Sequence, residues 1–454
     1  MMRVAVVGAG IGGLTAAHAI RRHAAARRTP LDLDVFEASH RTGGQLQSVA
    51  EDGYLIEWAA NAFRTGVGPS RDLIERLGMT GERVEASPDA NRRYVFHGGR
   101  LHRLPAGPAS LLGFAPMSLA GRWRVFAEPF VARRVTHEES VHDYASRHIG
   151  REAAELLLGT MVRGVYGGDA RRLSVDAAFP VMRQMEREHR SLVIAGIMGA
   201  KQRRAEGKAT WSLRGGMGSL LRRIADDLGA SVHTATPVQA LARGSDGRFL
   251  LQAGSDERQP YDAVVLALPP RAAAPLLAAV DEVAAAEVAA IEAAPIAMAA
   301  LAFPRTAFLN PPDGYGFLVA PGETLDILGA LFESNIFPGR APAGQVLIRV
   351  IMGGADRDDV IARSDDELVA TASHALDRSL GLREAAERTW IYRQEGAIPQ
   401  YLMGHGGRVQ RIEERLARLP GLELAGNAYR GIAVGAIVED AESVAERVLG
   451  TSGA

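Results

Sequence analysis

Residues 3–20, RVAVVGAGIGGLTAAHAI, decide how the rest of the chain is read. The apolar run 3–8 reads as a buried parallel strand, and 12–27 reads as a helix. Residues 31–37, LDLDVFE, supply a second strand, so the opening is a β-α-β unit. Its turn carries Gly8, Gly10, Gly12 and Gly13. Gly8 permits a tight turn, Gly10 lets backbone approach a pyrophosphate, and Gly13 lets helix pack closely on strand. The helix start, through Ile11 and Gly12, offers free N–H groups to an anion. Glu37 ends the second strand, where a carboxylate accepts hydrogen bonds from ribose hydroxyls and disfavours a 2′-phosphate. FAD or NAD fits this better than NADP.

A second glycine-rich stretch with the same grammar lies at residues 424–441, LAGNAYRGIAVGAIVEDA. Either there are two nucleotide sites, or two remote parts of the chain build one. No acidic strand end follows this second turn, and little chain remains for another β-α-β unit. The expectation is one site, opened by Gly8 and closed by Gly426 to Val434.

The chain has 454 residues and a formal net charge of −1, which suits two or three domains and argues against a nucleic-acid partner. With 0 cysteines, disulfides, thiolate nucleophiles, iron–sulfur clusters and thiolate zinc sites are excluded. The twelve histidines show no HxH or HExxH pattern, so no metal is expected. No uncharged apolar run reaches the ~18–20 residues of a membrane span. The glycine spacing argues against reading the N-terminus as a signal peptide, and a cytoplasmic location is expected.

The α/β pattern returns in separated pieces. Residues 138–162 and 179–205 read as helical, YDAVVLALPP (261–270) as a buried strand, and 295–354 as strand-rich. The expected fold is α/β. A discontinuous Rossmann-like nucleotide domain spans 1–80, 208–268 and 390–454. A mixed-sheet substrate domain spans 81–98 and 269–389, and a mainly α-helical domain spans 99–207.

After Glu37 comes Arg41-Thr-Gly43-Gly44-Gln45. This string resembles the second fingerprint of the FAD-dependent amine oxidases, carotenoid desaturases and protoporphyrinogen oxidases, and makes FAD the expected cofactor. Further strings resemble the protoporphyrinogen IX oxidases in particular. They are Arg93-Tyr94, GGRLHRLP (98–105), RGVYGGD (163–169), EHRS (188–191), WSLRGG (211–216), GYGFLV (314–319), IPQY (398–401) with Gly404-His405, and GNAY (426–429). They occur in family order along essentially the whole chain. A departure is Gly435-Ala436-Ile437, where the family commonly has Asn-Asp-Cys.

The resemblance implies a six-electron oxidation of protoporphyrinogen IX to protoporphyrin IX through FAD, with O2 as acceptor and H2O2 as product. The cofactor would be held by Gly8, Gly10, Ile11, Gly12, Gly13, Glu37, Ala38, Arg41, Gly43, Gly44, Gln45, Ala59, Ala60, Asn61, Val238, Gly426, Asn427, Ile432, Ala433 and Val434. The final helix would aim its N-terminus at the flavin, where its dipole favours a reduced, anionic ring. On the substrate side, Arg93 matches the arginine that pairs with a propionate, and Leu318 and Phe332 match positions flanking the macrocycle. Gly164 matches a position where backbone approaches the pyrroles. Read without the resemblance, Arg93 is a surface arginine, Leu318 and Phe332 are strand core, and Gly164 is a helix C-cap. No side-chain general base stands out, and His189 and His405 read as structural. Residues 105–135, apolar with flanking arginines, match the family's membrane-associating region, although a tunnel wall or ordinary helix packing fits the pattern equally. The resemblance also brings coproporphyrinogen III as the nearest competing substrate, a peripheral membrane contact and a homodimer. An amine oxidase, a carotenoid desaturase, or a flavin-binding protein without catalysis are the other readings.

Overall fold

The computed structural model describes residues 1–63, 68–131, 133–205, 210–254 and 257–450. The expected domain edge at 207/208 lies outside them.

The first strand, Met2–Val7, is flanked on both sides by parallel partners, Leu31–Phe36 and Ala263–Leu266. Leu422–Leu424 and Val232–His233 complete a five-stranded sheet whose order is 422–424, 263–266, 2–7, 31–36, 232–233. A parallel sheet is covered on both faces, so its inner strands read as unbroken apolar runs such as Ala263-Val-Val-Leu266, all buried. One face carries the helix Ile11–Arg27, packed against the last helix, Val434–Gly450. Small residues on the first helix (Ala16, Ala17, Ala19) permit that close approach, and Val444, Ala445 and Val448 share the same core. Strand order thus interleaves three remote parts of the chain, 2–36, 232–266 and 422–424, in one sheet.

A seven-stranded sheet forms the second layer, in the order 388–399, 293–304, 345–353, 329–331, 316–319, 93–97, 100–103. Its long strand Ala293–Pro304 alternates two buried faces. Ala297, Ala299, Leu301 and Phe303 pack towards the helix Asp365–Leu380, whose start is fixed by a reciprocal Ser364/Glu367 capping box. Met298, Ala300 and Ala302 pack towards Tyr54, Ile56 and Trp58 of the nucleotide domain. Two segments fall on a different side from the sequence expectation. Arg388–Pro399 pairs with Ala293–Pro304, and Arg100–Arg103 pairs with Arg93–His97, so both belong to this sheet.

The helical region is broken more often than its apolar pattern suggests. Gly150, at φ +87°, ends Val141–Ile149, and a π-helical turn at Ala154–Gly159 precedes Thr160–Tyr166. Buried charges tie these pieces together. His148 lies between Glu128 (2.7 Å) and Glu186 (3.3 Å), and Arg183 bridges Glu186 (2.7 Å) and Glu139 (3.1 Å). Among the described residues, no helix is long and apolar enough to cross a membrane.

The seven-stranded sheet is joined to the hairpin Ser48–Glu51/Tyr54–Glu57 through charge as well as packing. Glu57, Glu333, Arg340 and Arg349 are each at most 2% exposed. Arg349 pairs with Glu333 (2.8 Å) and donates to the carbonyls of Glu57 (2.6 Å) and Ala59 (2.7 Å). Arg340 lies 3.3 Å from the Glu57 carboxylate and donates to Ser212 Oγ at 2.7 Å. Removing one member of a buried pair strands the other charge, at a cost of about 3–5 kcal/mol. Arg349→Leu is therefore expected to lower the urea midpoint sharply. Arg349→Leu combined with Glu333→Leu should recover part of that loss. A double variant less stable than the single would refute the pairing argument.

Candidate cofactor and substrate site

The glycines of three remote segments meet backbone to backbone. A Cβ on Gly12 would lie 2.9 Å from Gly426 Cα, and a Cβ on Gly44 would lie 3.1 Å from Gly10 Cα. A Cβ on Gly13 would overlap the Gly8 carbonyl. Gly426, at φ +114°, adopts a conformation that suits glycine. The N- and C-terminal turns thus form one cradle, not two. Gly10 itself is at φ −77°, and its Cβ would meet only Gly44 Cα at 3.9 Å. Space remains beside it, bordered by the start of the first helix.

This cradle fits an FAD pyrophosphate and ribose. Glu37 is already oriented, because its carboxylate accepts from Ala9 N (2.8 Å), Ser39 N (2.9 Å) and Ser39 Oγ (2.8 Å). Those three bonds leave acceptor capacity for a ribose hydroxyl. Ala38, Arg41 and Gly44 are exposed along the same edge, and Gly43 N is tied to Ala9 O at 2.8 Å. Residues 233–238 run alongside: Ala235 N donates to Ser39 O and Thr236 N to Glu37 O, both 2.8 Å, which brings Val238 to this edge.

Other named residues do different work. Gln45 Nε2 donates to Gly396 O (3.0 Å), tying the fingerprint loop to the second sheet. Ala59 is partly buried and Ala60 exposed, whereas Asn61 is 6% exposed and its side chain is committed to Glu333 and Tyr315. Asn427 offers its carbonyl to Tyr401 Oη (2.6 Å), and Ile432 and Ala433 lead into the last helix, which begins at Val434 with no acidic residue in its first turn.

The C-terminal turn is clamped by residues that sequence reading left without a role. Tyr401 Oη also accepts from Gly431 N at 2.7 Å, and His405 stacks on Tyr401 with ring centroids 4.1 Å apart. His405 Nε2 lies 3.3 Å from the Tyr429 carbonyl, so that nitrogen carries the proton. Burial holds the His405 imidazole below the ordinary histidine range, against the opposing pull of that carbonyl. Gln400 Nε2 reaches back to Tyr166 O (2.7 Å). The strings RGVYGG, IPQY…GH and GNAY are therefore hydrogen-bonded to one another, which no single string announces.

On the substrate side, strand register sets the faces. Arg93 opposes Gly316 and Val95 opposes Leu318, so these share one face of the seven-stranded sheet. Val95 lies among helical-domain residues such as Phe114 and Met117, so that face looks towards the helices. A Cβ on Gly164 would overlap the Leu318 methyl groups, so Gly164 and Leu318 are in direct contact. Gly164 sits inside the helix Thr160–Tyr166. The left-handed C-cap is Gly167, at φ +58°. Phe332 is placed elsewhere: it is 1% exposed, packs on Phe317 and belongs to the core behind the sheet. Its neighbour Leu331, paired with Gly316, lies on the face of Leu318. The difference arises because one residue along a strand changes the face.

Two substitutions separate cradle from fold. In Gly10→Ala the new methyl meets no protein atom closely, so thermal stability of the FAD-free protein should hold while FAD affinity falls about tenfold or more through lost close approach. Gly12→Ala should also lower stability, because it pushes against Gly426. FAD absorbance per chain and melting temperature read both, and full FAD occupancy in Gly10→Ala would remove that residue from the cradle.

Comparison with known proteins agrees with this geometry. The profile of the family described as Flavin containing amine oxidoreductase matches residues 11–449. Protoporphyrinogen oxidase of Bos taurus is 32% identical, over 99% of this chain and 98% of its own. The Homo sapiens enzyme of that name is also 32% identical, with the same coverage. Coproporphyrinogen III oxidase of Bacillus subtilis (strain 168) is 27% identical over 95% of this chain and 94% of its own. The crystal structure of a candidate protoporphyrinogen oxidase from Exiguobacterium sp. 255-15 superposes with a TM-score of 0.84 at 25% identity, covering 98% of both chains. Glycine cradle, strand order and full-length similarity together show that the chain belongs to the flavin-containing amine oxidoreductases, among the protoporphyrinogen oxidases.

Proposed function

We propose that this FAD-dependent oxidoreductase converts protoporphyrinogen IX to protoporphyrin IX, with O2 as the terminal acceptor. The observation that carries the reading is the face shared by Arg93 and Leu318. It is closed by Gly164 from the helical domain and linked through Tyr315 and Asn61 to the segment leading from the cradle. Bound FAD supplies a two-electron acceptor that O2 reoxidises with release of H2O2.

The protein's own part is binding and orientation. Arg93 stays protonated and presents a planar fork that matches a propionate bidentately. Leu318 and Leu331 give apolar surface for the macrocycle and exclude water. Gly164 keeps the helix close enough to Leu318 for the wall to be continuous. None of these side chains is a base at neutral pH, so protons released from the substrate leave to solvent. Three rounds of oxidation remove six electrons in all, with three O2 reduced to three H2O2.

The Bacillus subtilis relative favours a second reading in which coproporphyrinogen III is the substrate. One assay separates the two. Supplied with each porphyrinogen under air, the FAD-loaded protein should generate porphyrin fluorescence and H2O2 faster from protoporphyrinogen IX. Faster turnover of coproporphyrinogen III would transfer the assignment, and turnover of neither would end both.

A peripheral membrane contact belongs to the same proposal. Of the apolar residues in 105–135, Leu111, Phe114 and Met117 are core, but Leu119, Trp123 and Phe130 are 70%, 64% and 90% exposed. Arginines in this stretch are partly occupied as anchors: Arg122 donates to Met117 O, and Arg124 to Arg147 O and His148 O. The exposed ridge, rather than charge, supports insertion into a lipid surface at the cytoplasmic face. The wild-type protein should float with liposomes, and Trp123→Glu with Phe130→Glu should abolish flotation. A wild type that stays wholly in the soluble fraction would discard the contact.

A further inference from the structure

The string Gly314-Tyr315-Gly316 contributes only a link to the scheme above, yet its tyrosine stands between the carboxylate anchor and the cofactor side. The Arg93 guanidinium carbon lies 4.5 Å from the Tyr315 ring centroid. Tyr315 Oη donates to Asn61 Oδ1 at 3.2 Å. Asn61 Nδ2 donates to the Glu333 carboxylate at 3.2 and 3.3 Å, and Glu333 pairs with Arg349 at 2.8 Å. Arg349 in turn holds the carbonyls of Glu57 and Ala59.

Backbone geometry fixes the tyrosine. Gly314 is at φ +81°, and a Cβ there would overlap the Arg92 carbonyl. Gly316 is at φ +140°, and a Cβ there would overlap the Ala330 carbonyl. Tyr315 N donates to Arg92 O (2.8 Å), and its carbonyl accepts from Phe332 N (2.9 Å). Two glycines in conformations closed to other residues thus press one aromatic ring against the first residue of the neighbouring strand. Burial raises the Tyr315 phenol above its usual range, reinforced by Glu333 and opposed by Arg93 and Arg349, so it stays protonated and able to donate.

We infer that Tyr315 is a positioning residue: its ring is the platform that aims the Arg93 guanidinium at a substrate carboxylate, and its hydroxyl keys that platform to Asn61 beside the cofactor segment. The inference deepens the proposed function and rests on its assignment of Arg93 to a carboxylate. Stacking on a ring uses the face of a guanidinium and hydrogen bonding uses its edge, so a ring platform sets the plane in which the N–H groups meet a bidentate acceptor. The ring also reduces the rotamer freedom that binding would otherwise have to remove. The platform acts only through charge, so it should matter for a dicarboxylate ligand and not for its uncharged ester.

The test uses the FAD-loaded full chain and two probes, protoporphyrin IX and its dimethyl ester, with equilibrium binding read by porphyrin fluorescence. Tyr315→Leu should weaken the dicarboxylate about tenfold, the scale of a partly desolvated cation–π contact, and leave the ester unchanged. Tyr315→Phe keeps the ring and should weaken the dicarboxylate only about two- to threefold, the scale of one lost neutral hydrogen bond. In turnover with the porphyrinogen, the effect should fall on KM rather than kcat. In an Arg93→Leu background, neither Tyr315 change should weaken the dicarboxylate further. Equal losses for dicarboxylate and ester, or no loss in Tyr315→Leu, would overturn the inference. Where Tyr315→Leu costs the fold, undiminished dependence on Tyr315→Phe in the Arg93→Leu background overturns it equally. A wild type that discriminates dicarboxylate from ester through Tyr315 but turns over no porphyrinogen would refute the proposed function and leave this inference standing.

Discussion

Contact between glycine backbones at Gly12 and Gly426, and again at Gly10 and Gly44, is the constraint on which the rest of the structure depends. A single methyl at Gly12 would meet Gly426 Cα at 2.9 Å, closer than real side chains approach. Three parts of the chain, separated by tens to hundreds of residues, can close on one cradle only if Gly12 and Gly44 carry no side chain at the crossings. The last helix must then pack along the first, because both start from that crossing, and their small and β-branched faces allow it. The strand order follows, since Leu422–Leu424 has to lie in the same sheet as Met2–Val7 to deliver its turn.

A cradle of bare backbone supplies shape but little rigidity of its own, and the hydrogen bonds that surround it answer that need. Tyr401 both donates to Asn427 O and accepts from Gly431 N, so one hydroxyl fixes the entry and exit of the C-terminal turn. Gln400, the residue before it, holds Tyr166 O at the end of the helix that carries Gly164. Cofactor turn and substrate wall are therefore positioned from one short segment. The buried set of Arg349, Glu333 and Asn61 does the same from the other side, reaching Ala59 and Tyr315. Buried charges are expensive, and their use here is consistent with a geometric purpose rather than a gain in stability.

The β-α-β opening was legible because its signals are local: glycine spacing, an apolar run and an acidic strand end sit within 37 residues. The second turn was legible for the same reason, and even its merger with the first could be argued from the lack of chain for another unit. What the sequence did not disclose is pairing at long range. Nothing in Arg388–Pro399 names Ala293–Pro304 as its partner, so it reads as part of the adjoining nucleotide domain. Phe332 failed by one residue, since a strand end that turns into the short helix Glu333–Ile336 hides which face each side chain takes. Asn61 was identified as a site residue, but the Glu333 and Tyr315 that occupy its amide lie more than 250 residues away. Motif strings mark positions that matter; only the fold shows which string each one holds.

This division bears on the one place where the chain departs from its resemblance. Gly435-Ala436-Ile437 lies in the first turn of the last helix, just past the clamped turn. Gly435 is exposed, and a Cβ there would meet only Ser70 Oγ at 3.6 Å, so no steric demand selects glycine. Ala436 is different: its methyl stands against Gly431, where any added Cβ would overlap it. A larger residue at 436 would press on the segment that Tyr401 holds. The small Ala436 methyl thus relieves the turn sterically, and the three residues bring no polar side chain to the helix start. The helix retains its unpaired N–H groups and its dipole whatever those side chains are. The field at this helix start therefore comes from backbone alone, with Tyr401 and His405 keeping that backbone in place.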